Sequence, residues 1–480
     1  MSRTHLLGAA SAAALACFST AHAAQPIIQG GGSTLAQYEY IAEFSIFNAG
    51  ETASQAIFDE TAEPAGYNES GSGAGQSAFL NDDLTCDTNK ALNLPGAGGV
   101  VGACSNLAPT AANSNAGSGL NYVDYGASDA TLSSTQISTW SSAPYGQSVS
   151  GNLIQLPSMG VGISFPVNNT AIVKNGDVSV SDSDLCEIFS GGYTDFSQIT
   201  DSVTLKKVAH GYAHGTINVI YRGDSSGTSF LLTQHLADVC TSADTAPGFT
   251  FTATTTFASL FNATNGGGSN TKNAAGLFVV TSGLTNGVND GPKGSSGVAG
   301  LVATTADSIA YLSPDFTSLY PKSGAPTHTL VVASALQGTT PLLPTVAEIV
   351  KGLAHPVDGT NLNPPSTAAQ GANPALWVPA VAKTSAGYPV VGYTTYDFAQ
   401  CYANAPTAAA AIAYLKEHFT KTGPFETTLA DNGFVELVNS KAANFVTTIN
   451  QHILSNVGTK AKPAWNIDIN DTTTCAGKGR

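Results

Sequence analysis

Three short stretches place glycine, serine and threonine where the chain turns into a helical pattern: Gly30–Leu35 (GGGSTL), Ser70–Gly75 (SGSGAG) and Arg222–Ser229 (RGDSSGTS). A helix start carries backbone N–H groups with no intrahelical acceptor and the positive end of the peptide dipole, which makes it a ready anion site. Hydroxyls at Thr34, Ser72, Ser226 and Thr228 add donors in the same places, and Arg222 adds a guanidinium. Each turn alone reads more readily as an ordinary Ser/Thr helix cap. Three together, one with an arginine beside it, point to a small bound anion.

The elements that must position these turns alternate, which reads as α/β. Pro26–Gln29 reads as a short strand, the glycines after it as a turn, and a helix follows from Thr34. Ile217–Tyr221 reads as a strand leading through a Gly/Ser loop into a helix over Ser229–Val239. Near the C-terminus Ile412, Leu415 and Phe419 keep helical spacing, and Phe434, Val438, Ala442, Phe445 and Ile449 predict a second, longer helix. Ala91–Gly119 and Thr241–Gly291 are poor in charge and rich in Gly, Ala, Asn or Thr; both read as surface insertions (within 76–122 and 241–293) rather than domains.

The chain has 480 residues, enough for two or three domains and a large core. Eighteen basic residues face 33 acidic ones, a formal charge of −15, which excludes a protein that wraps nucleic acid. Acidity also counts against long-range steering of an anion. It does not decide a cleft whose amides, hydroxyls and single arginine act at contact distance. Residues 1–23 carry one Arg, an apolar stretch from Leu6 to Phe18 and a terminal Ala21-His22-Ala23, the pattern of a signal peptide cleaved near Ala23. The mature chain would then carry a formal charge of −16. No later window holds 18 uninterrupted apolar residues, so a soluble, exported product is expected. Six cysteines remain after cleavage: Cys86, Cys104, Cys186, Cys240, Cys401 and Cys475. An even number in an exported chain reads as three disulfides with fifteen pairings open. Nearest-neighbour pairing asks least of the topology and is the expectation. No C-x-x-C spacing supports zinc instead.

With these residues in view, the chain resembles the phosphate-specific periplasmic binding proteins of ABC transporters and their DING-type secreted relatives. The matching stretches are GGGSTL, YNESGSGAG (Tyr67–Gly75), VDYGASDATLS (Val123–Ser133) and VIYRGDSSGTSFLLTQHL (Val219–Leu236). Weaker matches are Ile188–Ile199, Gly294–Val302 (GSSGVAGLV) and Gly387–Tyr396. The chain has IIQGGG where DING-type proteins begin D-I-N-G, so it is not placed inside that subgroup. The resemblance implies the type II periplasmic-binding-protein fold, two α/β lobes joined by hinge strands with the ligand cleft between them. Lobe 1 would be 24–157 plus 385–480 and lobe 2 would be 158–384, with crossovers near Leu156–Ser158 and Tyr388–Val390.

Carried over position by position, the resemblance puts the ligand shell on Thr34, the backbone N–H of Leu35, Ser72, Asp129, Arg222, Asp224, Ser226, Gly227 and Thr228. Arg222 would present a bidentate fork to two phosphate oxygens, with Asp224 holding it. A carboxylate beside a dianion is repulsive unless a proton lies between them. Asp129 is implied as acceptor of the P–OH proton, which sulfate lacks at neutral pH. The implied function is high-affinity binding of inorganic phosphate as the periplasmic receptor of an importer. The partner would be an inner-membrane ABC permease, and the protein a monomer with no cofactor, no metal and no catalytic residue. Two alternatives stay open: a secreted DING-like phosphatase acting on phosphomonoesters, and a secreted adhesive or interaction protein. Gly223–Gly227 (GDSSG) is similar to the nucleophile region of trypsin-like proteases, but His210 and His214 offer no supporting context and read as loop residues.

Overall fold

The computed structural model describes residues 28, 30–50, 67, 69–82, 123–199, 217–261, 294–321, 329–357, 363–402, 405–440, 442–455, 467 and 475–479. In chain order the strands are β1 (Gly30–Gly32), β2 (Tyr125–Ser128), β3 (Leu153–Gly162), β4 (Phe165–Asn168), β5 (Ser179–Val180), β6 (Asn218–Ile220), β7 (Ser308–Ala310), β8 (Val331–Gln337), β9 (Thr340–Leu342), β10 (Val391–Ala399) and β11 (Val435–Glu436). The helices longer than one turn are α1 (Gln37–Gly50), α2 (Ser72–Asn81), α3 (Ser134–Trp140), α4 (Asp182–Ser190), α5 (Gly227–Val239), α6 (Gly294–Thr304), α7 (Val346–Ala354), α8 (Ala405–His418), α9 (Glu426–Asp431) and α10 (Ala443–Ile449).

The strands form two mixed sheets, ordered β1-β2-β10-β3-β11 and β5-β8-β4-β7-β6, with β9 hairpinned onto β8. The chain is therefore α/β and two-lobed. β3 runs through Leu156–Ser158 to Gly162 in the first sheet, and β4 opens the second at Phe165. Tyr388–Val390 lead back into β10 of the first sheet. The two crossing segments lie side by side, because Ile163 N donates to Val390 O at 2.9 Å and Tyr388 OH to Ile163 O at 2.6 Å. Helix α7, late in the intervening stretch, sits on the first sheet: Leu353 and Ile349 cover Gly160 and Gly162 of β3.

Three sequence expectations are corrected. The run Gly30–Gly32 is itself the strand, paired parallel with β2, and not a turn after one. A Cβ on Gly32 would lie 2.0 Å from the Ala127 carbonyl oxygen, so close backbone approach, not turning, is what these glycines serve. The long helix over 434–449 is instead β11, a 3-10 turn at Leu437–Asn439 and α10 from Ala443. Asn432-Gly433, with Gly433 at φ 78°, starts the edge strand, and the Ser440 hydroxyl accepts from Ala442 N at 3.0 Å where the helix begins. The stretch after Thr241 is not all surface. Phe249, Phe251, Phe257 and Leu260 are buried, with Phe257 packed against Phe189, Tyr221 and Tyr311. Few charges marked that segment as peripheral, but its aromatic rings supply the area a core needs.

Disulfides join Cys186 to Cys240 and Cys401 to Cys475, the nearest-neighbour pairing expected for both. Cys86, Cys104, residues 1–23, Ala91–Gly119, His210 and His214 lie outside the described residues.

Inside the first sheet Asp397 of β10 is fully buried, accepts from Gln155 Nε2 at 2.9 Å, and has no described partner on Oδ2. Burial pushes its pKa from 3.8 to about 7, against the pull of that hydrogen bond. A raised carboxyl pKa stabilises the fold below the unfolded value and loses that contribution as pH rises through the folded value. Asp397→Asn keeps the neutral form at every pH. Relative to wild type, urea unfolding should favour the variant by about 2 kcal/mol more at pH 8 than at pH 5. An unchanged difference between the two pH values would contradict this.

Candidate anion-binding site

The Arg222–Thr228 block spans the turn between β6 and α5, so three features of one local segment converge. Ser226 is the N-cap of α5: its hydroxyl oxygen accepts from Ser229 N at 3.2 Å, and its own N–H donates to Thr255 O at 2.8 Å. Ser225 donates to Thr255 Oγ1 at 3.0 Å, so both serines of Gly223–Gly227 are engaged in holding the turn. Gly227 and Thr228 open the helix and bring its first-turn amides to the cleft. Arg222 is buried and forks onto Asp224, Nε to Oδ1 at 2.6 Å and Nη2 to Oδ2. Its Nη1 edge faces the Thr228 hydroxyl at 3.4 Å. Burial works against the guanidinium charge, but Asp224 outweighs it and holds the pKa above the ordinary arginine value.

The first lobe supplies the facing wall from three places. After β1, Ser33 donates to Asp129 Oδ1 and also accepts from Leu35 N at 3.2 Å, while Thr34 Oγ1 points across the cleft to Ser295. Ser72, the first residue of α2, donates to Asp129 Oδ2 at 3.1 Å. Gly71 before it has φ 97°, a conformation open to glycine, and a Cβ there would meet Asp224 Oδ2 at 2.8 Å. Asp129 follows β2 and is buried, which pushes its pKa from 3.8 to about 6. The Ser33 and Ser72 hydroxyls and Arg222 pull it the other way. Above pH 6 it is a carboxylate and an acceptor; below, it also carries a proton to donate.

The lobes touch along this seam. Gly73 N donates to Ser225 O at 3.1 Å, Ser295 N to Thr34 Oγ1 at 3.1 Å, and the Ser313 hydroxyl to Leu35 O at 3.0 Å. A Cβ on Gly227 would fall 2.5 Å from Asp129 Cβ, and one on Gly73 2.0 Å from Ser225 Oγ. The structure thus brings Thr34, Leu35, Ser72, Asp129, Arg222, Asp224, Ser226, Gly227 and Thr228 into one buried seam. Sequence reasoning missed two members. Ser33 lay inside GGGSTL, and its contact with Asp129 spans 96 positions. Ser295 lay in GSSGVAGLV, a stretch that entered only as a weaker family match with no role given to its residues. Among the described residues, no group of three or more His, Cys, Asp or Glu is placed to hold a metal.

Comparison with known proteins agrees with this architecture. A curated relative named alkaline phosphatase L, from Pseudomonas aeruginosa strain UCBPP-PA14, is 29% identical over 468 residues, covering 94% of this chain and 93% of its own. The solved phosphate-binding protein of Stenotrophomonas maltophilia is 26% identical with a TM-score of 0.63, covering 95% of this chain and 99% of its own. A high-affinity periplasmic phosphate-binding protein, PfluDING, solved bound with phosphate, is 27% identical at a TM-score of 0.63 with the same coverage. The sequence model of the PBP superfamily domain matches residues 23–373. By that match, which spans most of its length, the chain belongs to the PBP superfamily.

Proposed function

We propose that the chain binds inorganic phosphate, as hydrogen phosphate, in the seam between its lobes. The observation that carries this reading is the pairing of one buried acceptor, Asp129, with a shell of donors. Arg222 would hold two phosphate oxygens, fixed in plane by Asp224. The first-turn amides of α5 with the Ser226 and Thr228 hydroxyls would donate from the second lobe, and Thr34, the Leu35 amide and Ser72 from the first, the last two by releasing the bonds they make to Ser33 and Asp129. Asp129 would take the P–OH proton. The relatives named for phosphate binding, and the phosphate in one of them, support the same reading. Equilibrium dialysis with labelled phosphate tests it: saturable one-to-one uptake is expected, and no uptake at millimolar phosphate overturns it.

The lobes would be 24–157 plus 385–480 and 158–384, with β3 carrying the first sheet on as far as Gly162, and phosphate, by contacting both, would favour the closed form. Glycine at 73 is then a condition of closure. In Gly73→Ala the added methyl blocks the seam at Ser225. Overpacking of about 1–3 kcal/mol predicts a roughly 10–100-fold loss of phosphate affinity. The melting temperature without phosphate should hold, because alanine suits α2 better than glycine. Unchanged affinity would contradict the seam.

The signal-peptide pattern over 1–23 and the periplasmic relative support an extracytoplasmic location. There the protein would act as a monomeric receptor that hands phosphate to a membrane permease. Cys86 and Cys104 would form the third disulfide. Phosphomonoester hydrolysis is the second reading, favoured by the relatives named alkaline phosphatase L. Sustained turnover of p-nitrophenyl phosphate, lost in Arg222→Ala, would establish it; saturable phosphate binding without turnover would leave the receptor alone.

A further inference from the structure

A third helix start enters the seam. Helix α6 opens with Gly294, whose N–H reaches Asp224 Oδ1 at 3.3 Å, and Ser295, which is wholly buried. The Ser295 N–H belongs to the first turn and has no intrahelical acceptor. It donates instead across the lobes to Thr34 Oγ1 at 3.1 Å. The Ser295 hydroxyl lies 3.3 Å from the same Thr34 oxygen and 3.5 Å from Arg222 Nη1. Arg222 can only donate, so the serine oxygen faces it as acceptor, which leaves the serine proton to be given to Thr34, although either hydroxyl of that pair can serve as donor.

A hydroxyl has one proton and two acceptor lone pairs. With the serine hydroxyl as donor of that pair, the Ser295 N–H and O–H together fill both lone pairs on Thr34 Oγ1. The remaining capacity of Thr34 is then its own proton. We propose that Ser295 is a positioning residue: by saturating the Thr34 hydroxyl as an acceptor, it makes that hydroxyl an obligate donor to the anion. The inference rests on the phosphate reading and deepens it. With Thr34 unable to accept, Asp129 remains the acceptor for the phosphate proton, and the orientation of the bound ion is set by one residue.

The test is a double-mutant cycle on the full chain, with inorganic phosphate titrated into wild type, Ser295→Ala, Thr34→Val and the double variant. Ser295→Ala should lose about tenfold in affinity, and Thr34→Val about tenfold to a hundredfold. The double variant should fall within about twofold of Thr34→Val alone, because the serine acts through that hydroxyl. Ser295→Cys, which keeps the volume and loses most of the hydrogen bonding, should repeat the pattern. A merely structural serine would give additive losses and a lower melting temperature without phosphate. Additive losses, or wild-type affinity in Ser295→Ala and Ser295→Cys, overturn the positioning role while the phosphate reading stands. No phosphate binding by wild type overturns both.

Discussion

Arg222→Ala should lower phosphate affinity by about 10²–10⁴-fold, the value of two charge-assisted hydrogen bonds at roughly 1.5–3 kcal/mol each. The geometry makes this the largest single loss expected. The guanidinium is buried, forked onto Asp224, and turned so that its Nη1 edge lies beside Thr228 and Ser295. Truncation removes the donors and leaves the Asp224 carboxylate uncompensated beside the place an anion would occupy. Breaking a buried pair also costs about 3–5 kcal/mol of fold stability. The double variant Arg222→Ala/Asp224→Ala separates the two effects: stability should partly return while phosphate affinity does not. Affinity within tenfold of wild type in Arg222→Ala, read by titration calorimetry on folded protein, would contradict the assigned role.

Asp129→Asn should lower discrimination between phosphate and sulfate more than any other single change. A site built on one hydrogen bond can reject an analogue lacking it by about 10⁴–10⁵. On the phosphate reading, the Asp129 carboxylate of the wild type above pH 6 would accept the phosphate proton and repel sulfate. Asparagine carries no charge and can donate, so sulfate should gain and phosphate lose, leaving selectivity at about a hundredfold or less. The pH dependence gives an independent check. Asp129 becomes protonated as pH falls through about 6, so sulfate affinity of wild type should rise below that pH. In Asp129→Asn it should stay flat. A wild-type sulfate affinity that is flat between pH 5 and 8 would count against Asp129 as the discriminating acceptor.

Which parts of this site were legible follows from how the chain builds them. Arg222, Ser226 and Thr228 lie within one strand–turn–helix segment, so their types and spacing carry their geometry, whereas Leu35, Asp129, Asp224 and Gly227 came only with the family resemblance. Ser72 and Thr34 were legible for the same local reason. Ser295 joins them only because the lobes meet, 261 positions from Thr34, and nothing in the spacing announces it. The glycines at 30–32 and 73 misled or said little because their purpose is tertiary. They admit another backbone, at Ala127 and at Ser225, and that demand is invisible to a reading of turns. The 434–449 stretch kept a helical period in its apolar residues, yet Asn432-Gly433 and Ser440 cut it where β3 offered an edge to pair with. The alternation of strands and helices was legible throughout. What the alternation could not give was where the chain leaves one sheet for the other, because β3 continues to Gly162 on residues no different in kind from those before it.

The central claim is that a buried acceptor among donors selects an anion that carries a proton. Titration calorimetry of the wild-type protein with phosphate, and then with sulfate, at pH 8 tests it most directly. Tight one-to-one phosphate binding is expected, with sulfate weaker by about 10⁴-fold or more. Equal affinities for the two anions, or no heat with phosphate, would contradict it.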